Sequence, residues 1–205
     1  MVSEHPPGPG ARPTVGVLAL QGDFALHKKA LERIGIPSVE VRMPGELDAV
    51  AGLIMPGGES TTLLKLLDAW DFVPALEKFH AAGKPIFGTC AGLILLAREV
   101  QNPAQVSLGF IDITAERNAY GRQKESFEAT GSGDLGEGPA PLKMVFIRAP
   151  RMRRLGHGVT PLAHYRDECV MARQGSVLVA AFHPELTDEP AVHRYFARMV
   201  CSSAG

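Results

Sequence analysis

Cys90 stands in the run Gly88-Thr89-Cys90-Ala91-Gly92, and glycines spaced in this way about a thiol suit nucleophilic catalysis. A nucleophile at the corner between a strand and a helix occupies strained backbone, which flanking glycines leave room for. The first amide of the helix is then available to a developing oxyanion. The neighbouring residues are of the right type: Pro85, Ile86 and Phe87 suit a buried strand, and residues 91–97 favour a helix. The same five residues would also fit a structural cysteine beside a helix-packing glycine pair, so the chemical reading needs a base near Cys90.

His183-Pro184-Glu185 supplies a candidate, at the end of the apolar run 176–182. In extended backbone, residues two apart project to the same side. Glu185 could therefore accept a hydrogen bond from one imidazole nitrogen of His183 and leave the other to face Cys90. Pro184 restricts the conformations open to His183. A third stretch, Pro56-Gly57-Gly58-Glu59-Ser60-Thr61-Thr62, follows the strand-like residues 52–55. Ligands of open α/β sheets bind at the carboxyl ends of strands, and paired glycines there permit close approach. Amides of this loop could complete an oxyanion hole with Ala91, and Ser60 or Thr61 is expected to cap the next helix. The phosphate-loop spacing is missing, although Lys65 follows. Arg117 and Arg122 could grip a carboxylate in bidentate fashion or be simply solvated. Arg148 differs from its neighbours Arg151, Arg153 and Arg154 in ending a strand, whereas the cluster as a whole reads as a solvated patch.

Positioning these groups requires an α/β frame. Residues 15–20 form an unbroken apolar run of the kind found in a sheet covered on both faces, and Asp23 can cap a helix that closes at Gly35. Within that helix His27 reads as a packing residue. Further strands are expected at 38–42, 52–55, 85–87, 106–114, 144–147 and 176–182. Helices are expected at 63–70, 73–82, 91–97 and 189–200, with 126–130 a short extended piece and 131–140 a glycine-rich loop. Strands alternating with helices through short links predict one α/β domain over residues 14–201, a mostly parallel sheet flanked by helices in the three-layer, flavodoxin-like manner. The Pro/Gly-rich residues 1–13 are expected to be a disordered leader.

Composition narrows the function. The 205 residues are 45% hydrophobic and carry a formal net charge of -1, which gives no electrostatic reason to expect nucleic acid or an anionic membrane as partner. The three cysteines, Cys90, Cys169 and Cys201, have no CxxC spacing, and the histidines have no metal-site spacing. No metal and no cofactor are expected; Cys169 and Cys201 read as structural or incidental. No secretory signal or spanning helix is evident, so a soluble, cytoplasmic protein is expected.

Taken together, Gly88-Thr89-Cys90-Ala91-Gly92 and Phe182-His183-Pro184-Glu185 resemble the class I, triad-type glutamine amidotransferases. More narrowly, the chain resembles the glutaminase subunits of the two-subunit pyridoxal 5'-phosphate synthases. That match rests on Leu18-Ala19-Leu20-Gln21-Gly22-Asp23-Phe24, the 56–62 loop, Tyr120-Gly121-Arg122-Gln123, Ser126-Phe127-Glu128, Phe146-Ile147-Arg148-Ala149-Pro150 and Phe182-His183-Pro184-Glu185-Leu186, in the family's order. The resemblance implies hydrolysis of L-glutamine to L-glutamate with a Cys90, His183, Glu185 triad and a thioester intermediate, the ammonia passing to a partner. It implies oxyanion donors at Gly58 and Ala91. It also implies that glutamine is held by Gly57, Gly58, Glu59, Arg117, Ile147 and Arg148. The implied partner is a (β/α)8-barrel pyridoxal 5'-phosphate synthase subunit in a hetero-oligomer, with coupling near Gln21 and Gly58.

Overall fold

A computed structural model describes residues 13–117, 119 and 126–203. Most of the expected leader and the Tyr120-Gly121-Arg122-Gln123 block lie outside the described residues. So does Arg122.

Five strands, β1 (Val15–Leu18), β2 (Ser38–Val41), β3 (Gly52–Met55), β4 (Ile86–Thr89) and β12 (Val177–Ala180), pair in parallel in the order β2-β1-β3-β4-β12. Every residue of β1, β3, β4 and β12 is buried, as their unbroken apolar runs require of strands covered on both faces. Around them lie α1 (Phe24–Arg33), α2 (Ser60–Ala69), α3 (Phe72–Ala81), α4 (Ala91–Leu96) and α5 (Ala191–Ser203). Helices α1 and α5 pack on each other, and α2 packs on α3 and α4. The core runs through this layer, with Phe87, Phe182 and Phe196 fully buried. The α/β frame with a large sheet between helices is therefore as expected.

Beyond β12 the sheet turns antiparallel, with β11 (Glu168–Gln174), β10 (Thr160–Tyr165), β7 (Ser126–Asp134) and β8 (Pro139–Ile147) completing nine strands. A second, three-stranded sheet joins β5 (Ala97–Gln101), β6 (Ile111–Glu116) and β9 (Arg151–Leu155). This arm changes three expectations. Residues 131–140 are not a glycine-rich loop: they include the ends of β7 and β8 and the turn joining them. Gly131 is there for close approach, because a Cβ would strike the His164 carbonyl oxygen of the next strand and come within 2.6 Å of Met144 Cε. The turn itself is held by Asp134, whose carboxylate accepts from the Gly136 and Gly138 amides at 2.9 and 3.1 Å. The strand expected at 106–114 starts only at Ile111. The arginines from 151 to 154 are ion-paired: the exposed Arg153 with Glu116 and Arg154 with Asp112, and the half-buried Arg151 with Glu168 at 3.2 Å.

Among the described residues, no helix is long and apolar enough to cross a membrane.

Candidate active site

Cys90 follows β4 directly and precedes α4, with φ 47° and ψ -99°, a sparsely populated positive-φ conformation that costs a non-glycine residue roughly 1–3 kcal/mol. Surrounding contacts hold it there. Its amide donates to the Ala180 carbonyl of β12 at 2.9 Å, and its own carbonyl accepts from Ile94 at 3.1 Å. The flanking glycines leave the space: a Cβ on Gly88 would lie 2.6 Å from the Gly92 carbonyl carbon, and one on Gly92 would strike the Met55 carbonyl oxygen of β3. The elbow is thus wedged between two parallel strands. The thiol points toward Ile147, whose carbonyl lies 3.8 Å from Sγ.

His183 follows β12, the strand next to β4, and its amide donates to the Val145 carbonyl of β8 at 2.8 Å. Only 4% of His183 and 2% of Glu185 is exposed. His183 Nδ1 and Glu185 Oε1 are 2.7 Å apart. Pro184 and Glu185 begin a short 3-10 turn, so the pair meets through that turn rather than through the extended backbone expected. Nδ1 beside a carboxylate carries the proton, which leaves Nε2 as the basic nitrogen. Nε2 is buried and makes no hydrogen bond of ordinary geometry within the described residues. Burial works against the His183 imidazolium, but hydrogen bonding with the Cys90 sulfur and with the Glu185 carboxylate, and the charge of these groups, outweigh it and push its pKa up to about 10. Burial likewise opposes the Glu185 carboxylate. The His27 and His183 imidazoles prevail and hold it at about 2.

Gly57 lies behind this pair. A Cβ there would fall 2.5 Å from His183 Cε1 and 3.3 Å from Cys90 Cβ, so no other residue leaves the thiol and imidazole where they are. Gly58 has φ 136°, open to glycine, and the Gln21 carboxamide lies against it: a Cβ would be 2.5 Å from Gln21 Nε2. Gln21 also clamps the loop by accepting from the Glu59 amide and donating to the Glu59 carbonyl, both at 3.3 Å.

Cys90, His183, Gly58, Glu59, Arg117 and Arg148 line one cleft of about 200 Å³, together with Ile147. Ala91 and Glu185 are buried beneath it. Three residues of the cleft were not expected from the sequence: Asp23, Ser60 and Ile94. Glu59, rather than Ser60 or Thr61, caps α2, accepting from the Thr61 amide at 3.0 Å and from the Thr62 amide at 2.7 Å. The reason is that Ser60 is already helical and its hydroxyl is spent on Gln105 at 3.1 Å. Arg117 donates to Thr61 Oγ1 at 3.1 Å and lies 3.5 Å from Glu59 Oε1. Arg148 is exposed with φ 43°. Asp23, His183 and Glu185 place ligand atoms within 4.8 Å of one another, but the His183–Glu185 bond already uses two of those groups.

The arrangement can carry a thiol nucleophile, a base oriented by a carboxylate, and cationic groups for an anionic end of a substrate. Comparisons with known proteins agree in direction. Residues 17–202 match the model of the SNO glutamine amidotransferase family. A "Pyridoxal 5'-phosphate synthase subunit PdxT" from Pelotomaculum thermopropionicum is 52% identical over 192 residues, 93% of this chain and 96% of that protein. One of the same name from Roseiflexus sp. is 52% identical over 189 residues, 91% of this chain and all of the relative. A crystal structure of a glutamine amidotransferase, 49% identical, superposes with a TM-score of 0.84 over 91% of this chain and 98% of its own. A chain of PurLQS from Thermotoga maritima, 17% identical with a TM-score of 0.68, shares the fold over 94% of this chain and 97% of its own. With a family model spanning the whole domain and relatives at half identity along nearly their full length, this chain belongs to the SNO glutamine amidotransferase family.

Proposed function

We propose that the chain is the glutaminase subunit of a pyridoxal 5'-phosphate synthase, releasing ammonia from L-glutamine for a (β/α)8-barrel synthase subunit to use. The observation that carries this reading is Cys90 at positive φ in one cleft with the His183–Glu185 pair, in a chain half identical to synthase subunits.

Glutamine enters with its side-chain carboxamide at Cys90 and its charged end toward Arg117 and Arg148, with Gly57, Gly58, Glu59 and Ile147 shaping the passage. His183 Nε2 takes the thiol proton, and Sγ forms a bond to the carboxamide carbon while the C=O electron pair moves to oxygen. That oxyanion is met by the Ala91 amide at the start of α4 and a Gly58 amide. Collapse restores the carbonyl and expels ammonia, which carries away the proton held by His183. The remaining thioester is hydrolysed by a water that gives its proton to His183, passing through a second oxyanion. Glutamate leaves as the proton returns to Cys90. Glu185 stays ionised throughout and holds the imidazole in the tautomer that keeps Nε2 basic. The turnover uses no metal and no cofactor. The loop held by Gln21, beside Gly58, is where a docked synthase would act on the oxyanion donors.

The test is glutamate release from L-glutamine by the chain alone and with the synthase subunit. Release that rises with the partner and falls at least about 1,000-fold in Cys90→Ala is expected. Cys90-dependent release indifferent to the synthase would assign the ammonia to another acceptor, and release that survives Cys90→Ala would overturn the chemistry.

A further inference from the structure

Three buried polar groups lie behind the His183–Glu185 pair and take no part in the steps above: His27 of α1, Thr89 of β4 and His193 of α5, each almost without solvent exposure. His27 Nε2 faces Glu185 Oε2 at 3.4 Å and Thr89 Oγ1 at 3.3 Å, and His27 Nδ1 is 3.0 Å from His193 Nε2. Glu185 Oε2 is buried and makes no hydrogen bond among the described residues; the 3.4 Å approach of His27 Nε2 falls outside hydrogen-bond geometry. A fully buried carboxylate oxygen without a donor is costly, and His27 Nε2 at 3.4 Å is placed to answer the need that the His183–Glu185 pair leaves open.

The tautomers follow from the geometry. A nitrogen set against a carboxylate oxygen and a hydroxyl carries the hydrogen, so His27 Nε2 is the donor and Nδ1 holds the lone pair. His193 Nε2 must then donate to it. His193 Nε2 donates to His27, whose own Nε2 hydrogen is shared between the Thr89 hydroxyl and the direction of Glu185 Oε2 at 3.4 Å, while His183 Nδ1 donates to the other oxygen of the same carboxylate. Burial pushes the pKa of His27 down and that of His193 down to about 3, so both rings remain neutral and bring oriented dipoles, not charge.

We propose that His27, supported by His193, is a positioning residue for glutamine hydrolysis: it fixes the second oxygen of Glu185 so that the first aligns His183 on Cys90. This rests on the roles of Cys90, His183 and Glu185 proposed above. Packing alone would ask only for an apolar ring at residue 27. Positioning asks for an N–H at the place of Nε2, and the two demands can be separated by substitution.

Gln puts an amide nitrogen near the place of Nε2, Asn puts one near Nδ1 and out of reach of Glu185, and Leu has none. We would measure kcat and KM for glutamate release by His27→Gln, His27→Asn and His27→Leu assembled with the synthase subunit, and the rate of Cys90 alkylation by iodoacetamide in each, with thermal melts to establish folding. His27→Leu and His27→Asn are expected to lose about 30-fold in kcat with KM within twofold, and to alkylate more slowly. His27→Gln is expected within about fivefold of the unaltered chain on both counts. If His27→Leu does not fold, the Gln and Asn pair decides, since both bury an uncharged amide and differ in where it reaches. Equal activity of Gln and Asn variants, or a Leu variant as active as Gln, overturns the positioning role. Cys90→Ala beside them separates the failures: if it keeps activity, the proposed chemistry falls with the inference, and if it is inactive only the role of His27 falls.

Discussion

Cys90 and His183 stand at the carboxyl ends of β4 and β12, neighbouring parallel strands buried along their whole length, whereas Ile147 and Arg148 end β8, at the outer edge of the antiparallel arm, where buried and exposed residues alternate. The first wall of the cleft is dry and over-determined. The Cys90 backbone is tied to β12, its glycines are wedged against β3 and α4, and Glu185 is enclosed by His183 and His27. The second wall is wetter and looser, with Arg148 exposed at positive φ and Arg117 leaning on the cap of α2. Bond-making needs atoms held to fractions of an ångström, and binding a charged end does not. Substitutions in the first wall should therefore move kcat, and those in the second KM.

The comparison is tested hardest at Gly57. An added methyl would lie 2.5 Å from His183 Cε1, and His183 cannot give way without loosening its 2.7 Å bond to Glu185. Gly57→Ala is expected to lower kcat about 100-fold in steady-state glutamate release while the chain stays folded by circular dichroism. A Gly57→Ala chain with ordinary kcat would mean that the first wall is more forgiving than its packing indicates. On the second wall, Arg148→Ala is expected to raise KM about tenfold with kcat within threefold, the loss of one charge-assisted contact. A fall in kcat alone would move Arg148 to the chemical side of the cleft.

The residues that meet in the first wall were legible in the sequence because their patterns are local. The five residues of the elbow encode their own corner, the three of His183-Pro184-Glu185 encode the pairing although it is made through a 3-10 turn and not extended backbone, and continuous apolar runs announce the strands that carry them. The antiparallel arm was harder to see. Its strands alternate, and Gly131 and Gly133 resemble loop residues while serving close strand approach. Glu59 was missed as a cap because such sites usually take a shorter side chain. His27 was read as packing because its partners are remote in sequence: the contact with His193 spans 166 residues, and no local pattern encodes it.

Glu59 gives the smallest effect and the finest test, because it has two roles on the second wall: it lines the cleft beside Arg117 and also starts α2. Burial opposes its carboxylate, but the Thr61 and Thr62 amides and hydroxyls prevail and hold its pKa at about 2, below the ordinary 4.5. A depressed carboxylate adds stability in full above 4.5, and the gain fades as pH falls from there toward about 2. The side chain is half-exposed, so solvent screens much of that gain, and Glu59→Ala is expected to cost only about 1 kcal/mol at pH 7. Urea titrations of both chains at pH 7, 5, 4 and 3 should show that gap constant down to pH 5 and shrinking below it. A gap that does not change with pH would mean the stabilisation comes from packing rather than charge. If the cap is indeed electrostatic, the carboxylate is committed to α2, and the contribution of Glu59 to glutamine binding comes through the backbone that Gln21 holds in place.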